Sequence, residues 1–293
     1  MDQSLYDSRY RRYIETIDQV PSLPAIVSRL ISVVSSAETS AEDAAELIEK
    51  DPALTSKVLR LANSAFYGIP RSVSSVQSAV VILGFNTLKS IVLSASVMNL
   101  FPTKSMSASF DRVRFWKHSI VCAIIARHIA QNMMNSLYID PQSAFCAGIM
   151  HDIGKLLFEL FTPKEYGEVC LRSKKNGTPL SETETLTLGL NHADIGRILA
   201  DKWALPLDLE YTIVHHHAPE KAHKIVELVS LIHLSDALAH TFDCGLWDSE
   251  PCSPRWLGVQ SQLSMDDARY ERIVSELPGE IDKYNQFFEI MGG

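Results

Sequence analysis

Apolar residues recur at intervals of three and four along almost the whole chain, and the strict alternation of a half-buried strand is nearly absent. This regularity leaves little room for a sheet and predicts an all-α fold. Punctuation supports it. Pro21-Ser22-Leu23-Pro24 opens a helix expected to run to about Ser36, and Thr39 with Glu42 has the spacing of a capping box for a helix ending near Lys50. Asp51-Pro52 then restarts the chain as an N-cap followed by proline at the first helical position. That helix ends at Tyr67-Gly68-Ile69-Pro70, where Asn63, Ser64 and Tyr67 read as a capped, packed terminus. Val76 to Leu83 and Asn86 to Leu100 follow as helices.

At 293 residues the chain exceeds the usual size of one domain, so two helical lobes are expected, over 1–105 and 106–242, with 243–293 as a loop and helical extension. A net charge of -8 argues against a general nucleic-acid binder, which would show a basic face. The five cysteines are widely spaced and never form C-x-x-C, so neither a disulfide framework nor a thiolate zinc site is expected. The start has no apolar core of the kind a secretion signal needs. The apolar run from Ala79 to Phe101 is broken by Gly84, Asn86 and Lys89 and reads as two buried helices with no membrane span. A cytoplasmic location is the expectation.

All ten histidines lie between His118 and His240, and the densest chemistry is Gly148 to Leu157. There, His151-Asp152 offers an imidazole and a carboxylate from adjacent positions, a nitrogen and oxygen set that suits zinc, iron or manganese. Lys155, four residues after His151, supplies a cation able to hold a phosphate. The plain alternative is a buried, hydrogen-bonded pair at a helix start. Phe110 to Asn132 reads as one long helix with Trp116, Ile120, Ile124 and Ile125 on its buried stripe, His118 near that stripe and His128 on another face. The helix begun at Pro141 is expected to carry both His151 and Asp152. A helix from Pro163 to about Lys174 closes at Asn176-Gly177, and Ser181 with Glu184 suggests another capping box. In Asn191-His192-Ala193-Asp194, His192 is the preferred donor, because Asp194 in a first turn already complements the helix dipole. The helix from Leu207 ends in His215-His216-His217, whose angular spread keeps all three from one centre. A final helix, Lys224 to Phe242, sets His233, Asp236 and His240 on neighbouring turns. Asp236 lies among apolar residues and calls for a cation or a hydrogen-bond partner. Phe242 to Trp256 reads as a loop, with short helices near 266–276 and 280–290.

The series VPSLPAIVSRLI, EKDPALTSKVLRLANSAFYG, SSVQSAVVILGFNTLKSIVLS, HDIGK, HADIGRILADKWALP and IVHHHAPE closely resembles the HDOD family of bacterial signalling proteins, over roughly Val20 to His240. The resemblance implies an all-helical fold whose second lobe is an HD-type bundle, used as a binding or output module. HD phosphohydrolases carry a histidine, an adjacent His-Asp and a later aspartate as metal ligands; His118, His151, Asp152 and Asp236 fill those places in order. HD-GYP phosphodiesterases add histidines for a second metal, and His192, His216 and His217 match them, leaving His215 aside. Lys155 matches the lysine after the pair. The implied cofactor is one or two divalent transition-metal ions, iron, manganese or zinc, and the implied partner a signalling protein or a nucleotide ligand. If the site is catalytic, Asp152 and Lys155 are its working residues, acting on a nucleotide or cyclic dinucleotide. Two departures weigh against the phosphodiesterase reading. Ala218-Pro219-Glu220-Lys221-Ala222-His223 replaces the Gly-Tyr-Pro loop, and Arg114 stands where relatives with three metals have a glutamate. A third metal is accordingly not expected.

Overall fold

The computed structural model describes residues 13, 15, 17–34, 40–70, 72–101, 104–134, 138–242 and 258–291. Among them there is no β-strand, and the all-α class holds. The chain divides into two compact units, one of Met1–Pro21 with Thr103–Leu277 and one of Ser22–Pro102 with Pro278–Gly293. The described part of 243–293 is therefore shared between the units.

The smaller unit contains α1 (Ala25–Val34), α2 (Ala41–Glu49), α3 (Pro52–Ala62), α4 (Val76–Leu83) and α5 (Phe85–Leu100). The end expected near Ser36 and the cap at Thr39 lie outside the described residues; the capping box on α2 is made by Ser40 and Asp43. Asp51 caps α3 through Ala53 N and Leu54 N, with Pro52 at its start. Asn63 exchanges hydrogen bonds with both Val73 N and Val73 O, so the end of α3 is tied to the chain that leaves it. No single described helix is long and apolar enough to cross a membrane; α4 and α5 pass that test only together, across a 120° bend.

The larger unit holds the histidines. Its helices are α6 (Arg112–Met133), α7 (Pro141–Met150), α8 (Ile153–Phe161), α9 (Pro163–Asn176), α10 (Leu180–Leu188), α11 (His192–Lys202), α12 (Leu207–His215) and α13 (Val226–Thr241). The helix α14 (Asp267–Ile281) runs into the smaller unit, where α15 (Tyr284–Met291) follows. The loop expected over Phe242 to Trp256 lies, beyond Phe242, outside the described residues.

Two glycines set the spacing at the heart of this unit. A Cβ on Gly148 would stand 2.5 Å from Ala123 Cα, so α7 lies against the α6 backbone. A Cβ on Gly154 would stand 1.9 Å from His192 O, so α8 lies against the start of α11. Only hydrogen at those two positions permits such approach. Gly196 performs the same service toward Ile213 on α12. A buried Arg112–Glu159 ion pair joins α6 to α8, and Glu159 also accepts from the Met106 and Ser107 amides.

A buried histidine and aspartate centre

The first local correction falls at the His-Asp pair itself. His151 and Asp152 do not continue one helix from Pro141: α7 ends at Met150, His151 is its C-cap, and Asp152 is the N-cap of α8 with φ -98° and ψ 8°. An aspartate at an N-cap ordinarily spends its carboxylate on the first amides of the helix. Asp152 makes no such bond. Its side chain turns instead into the bundle, buried to 1% exposure.

There it stands between two groups of donors. Asp152 Oδ2 is 3.3 Å from His151 Nε2 and 3.7 Å from His118 Nε2. Asp236 Oδ1 faces the same two rings, at 2.9 Å from His118 and 3.7 Å from His151. On the other side, Asp152 Oδ1 is 3.1 Å from His192 Nε2 and 3.5 Å from His216 Nε2. His217 Nε2 closes that group at 2.8 Å from His192 Nε2. The structure thus brings together His118, His151, Asp152, His192, His216, His217 and Asp236. His215 stays out, since α12 ends there and the next two histidines turn inward beyond it. Asp194 completes a capping box with Asn191 and takes no part.

Backbone and carboxylate acceptors fix which ring nitrogen is presented. A carbonyl can only accept, so His151 Nδ1 donates to Gly148 O at 2.8 Å and His216 Nδ1 to Ile213 O at 2.9 Å. His192 Nδ1 donates to Glu184 Oε2 at 2.6 Å. All three rings therefore turn Nε2 to the centre, the arrangement that carboxylates and carbonyls impose on metal-binding histidines. His233 Nδ1 donates to His216 O, bracing the backbone behind the second group.

Charge is divided unevenly. Burial opposes a proton on His151, but Asp152 and Asp236 outweigh it and push its pKa up to about 10. Burial likewise opposes a proton on His192, and Glu184 leads the groups that raise it to about 9. His118 and His216 go the other way, to about 4, because burial dominates their weaker carboxylate contacts. Against the cost of burial, Asp152 is held well below the usual carboxylate range by His151 and Lys155. Lys155 is itself buried, and its Nζ donates to Asp152 Oδ2 at 2.7 Å.

Two observations bear on metal fit. Donors about 2.0 to 2.2 Å from one ion stand about 3 to 3.5 Å from each other, and most of the separations above fall near that range. Moreover, His118 Nδ1 and Nε2, His151 Nε2, Asp152 Oδ1 and Asp236 Oδ1 are buried without a partner in hydrogen-bond geometry. Donor atoms so close and so poorly paired fit ligands better than a hydrogen-bonded cluster. The groups His118–His151–Asp152 and Asp152–His192–His216–His217 can each hold a metal ion.

Sequence reasoning missed Glu184. Ser181 and Glu184 make no capping box; Pro179 occupies the N-cap of α10. Glu184 is fully buried and accepts from Tyr166 Oη, from the His192 amide and from His192 Nδ1. Its signal was available: it lies four residues after the buried Leu180, on the inward face of α10. His128 also has a defined partner, Glu276 at 2.9 Å on α14.

The model of the HDOD domain matches residues 20–219. The chain belongs to the HDOD family. An HDOD domain protein of unknown function from Geobacter sulfurreducens shares the fold at a TM-score of 0.82 and 26% identity, covering 97% of this chain and 98% of that one. A Shewanella amazonensis protein provisionally named a phosphohydrolase is similar at a TM-score of 0.74 and 26% identity, over 94% of this chain and 97% of its own. An uncharacterized protein of Treponema pallidum is 23% identical over 75% of this HDOD chain and 43% of its own length. The chain spans under half the length of the curated relatives it matches.

Proposed function

We propose that this HDOD protein is a regulatory module of bacterial signalling whose buried centre binds divalent transition metal and whose output is the binding of a protein partner or a nucleotide. The observation that carries the reading is Asp152, whose two carboxylate oxygens serve two donor groups drawn from α6, α7, α11, α13 and the residues after α12. Iron, manganese and zinc all suit the mixed imidazole and carboxylate set. Bound there, metal would tie those elements together and supply Lewis-acid polarisation to a phosphoryl oxygen reaching it.

A second reading, a metal-dependent phosphohydrolase acting on a nucleotide or cyclic dinucleotide, draws on the Shewanella relative's name and on Lys155. In the structure that lysine is spent on Asp152 and is 4% exposed, which favours a role as counter-charge. For the hydrolytic reading, Asp152 and Lys155 are the residues on which turnover would depend.

Metal analysis of the full chain, purified without a histidine tag and assayed before and after chelation, tests the primary reading. Stoichiometric iron, manganese or zinc is expected; less than about one tenth of an equivalent per chain would overturn it. With metal present, a screen of nucleotides and cyclic dinucleotides separates the readings. Turnover abolished by Asp152→Ala would establish the phosphohydrolase.

A further inference from the structure

We infer a third metal position at the rim of the centre, formed by His118, Asp236 and His240; it rests on the metal-binding reading above and extends it. His240 follows Asp236 by one turn of α13, and its Nε2 lies 3.4 Å from Asp236 Oδ1. The same oxygen is 2.9 Å from His118 Nε2, and the His118 and His240 rings are 4.8 Å apart between centroids. The three donor atoms lie within 4.8 Å of one another.

A second observation points to a ligand here. The His118 side chain is 1% exposed, yet neither ring nitrogen has a partner in hydrogen-bond geometry, and Asp236 Oδ1 has none either. Nε2 still has the Asp236 carboxylate at 2.9 Å as an ion-pair partner, so the costly atom is Nδ1, buried with no partner unless a further group completes the ring's surroundings. His151, His192 and His216 anchor Nδ1 on a carbonyl or carboxylate; His118 has no such anchor.

His118 belongs to both the inner set and the rim set. Full loading assigns it to the rim and leaves the inner position to His151, Asp152 and Asp236, whose Oδ1 is 3.7 Å from His151 Nε2. Asp236 then reaches both positions through the single oxygen Oδ1, unlike Asp152, which turns Oδ2 to one group and Oδ1 to the other. The Asp236 and His240 side chains are 13% and 15% exposed, so the rim reaches toward solvent, as the second inner group does at the exposed His217. An ion held there keeps coordination places for water or a phosphate oxygen. Two imidazoles and a carboxylate suit manganese, iron or zinc.

The test is native mass spectrometry with metal analysis of the full, untagged chain titrated with Zn²⁺ and separately with Mn²⁺. His240→Ala is expected to bind one ion fewer per chain than wild type while retaining the inner ions, and His240→Gln to bind the same reduced number. Thermal unfolding establishes that each variant is folded, and His240→Gln preserves side-chain length should the alanine variant fail. Equal stoichiometry and affinity in wild type and both variants would overturn the rim position while leaving the inner centre standing. A weakened affinity without loss of an ion would overturn it too, by making His240 an additional ligand of the inner site. Wild-type protein that takes up neither metal would remove the underlying reading as well.

Discussion

Glu184 carries no proposed ligand atom toward metal, yet His192 depends on it. Its carboxylate takes the His192 amide and Nδ1 together, which fixes the backbone, the tautomer and the ring plane in one contact. Tyr166 donates from the far side, and burial together with Glu184 pushes the phenol well up, so it remains a neutral donor. Glu184→Gln keeps the shape but removes the charge and inserts an amide among three donors. Metal titration is expected to show an affinity about 10- to 100-fold lower for the ion that His192 holds, with any other ion unchanged. An unaltered titration would make Glu184 a packing residue only. This dependence could not be read from His192 alone, because nothing in the local sequence says which way a ring faces; only the inward phase of α10 hinted at it.

At the scale of elements, the approach of α8 to α11 is limited by one hydrogen atom. Gly154→Ala would place a methyl 1.9 Å from His192 O and must push α11 away, so it is expected to cost about 1 to 3 kcal/mol or more. Gly279 in α14 is the control, since a Cβ there meets nothing within 4 Å; Gly279→Ala should stabilise by up to about 1 kcal/mol. Urea unfolding measures both, and a Gly154→Ala protein as stable as wild type would show that this contact yields easily. Helix starts such as Asp51-Pro52 were legible because caps are written in the local sequence. The break at His151-Asp152 was not. HDIGKLLFEL runs on in good helical phase, and the interruption is decided by where the Asp152 side chain is used. The length of α12 was misjudged for a related reason. His216 and His217 extend its pattern, but the chain leaves the helix to deliver them to the centre.

For the molecule as a whole, the protonation pattern fixes the direction of metal linkage. His151 and His192, at about 10 and about 9, hold protons at neutral pH that an ion must displace, whereas His118 and His216, at about 4, are already neutral. Metal uptake near pH 7 is therefore expected to release protons, and affinity to rise with pH up to about 9 or 10. Calorimetry in buffers of different ionisation enthalpy measures the release directly. A pH-independent affinity between about 6 and 8 would contradict the assigned protonation states. The candidate donors came from the resemblance to the HDOD family and its HD-type relatives, carried over motif by motif. Their partition was not visible in the motifs: seven positions spread over a sequence do not reveal that one carboxylate is shared, and His240 gains meaning only beside His118.

The sealing of the inner donors also sets a clock. His151 and Asp152 have side chains at most 1% exposed, while the position of His192 and His216 opens at the exposed His217 and Asp236 and His240 reach the rim. Anything bound among the former leaves only when packed helices part, a motion slower than the turning of surface side chains. Anything bound at the latter exchanges with the surroundings directly. A chelator added to loaded protein should therefore draw metal in two phases, the positions that reach the surface emptying first and the one between His151 and Asp152 following at the pace of the fold's own opening.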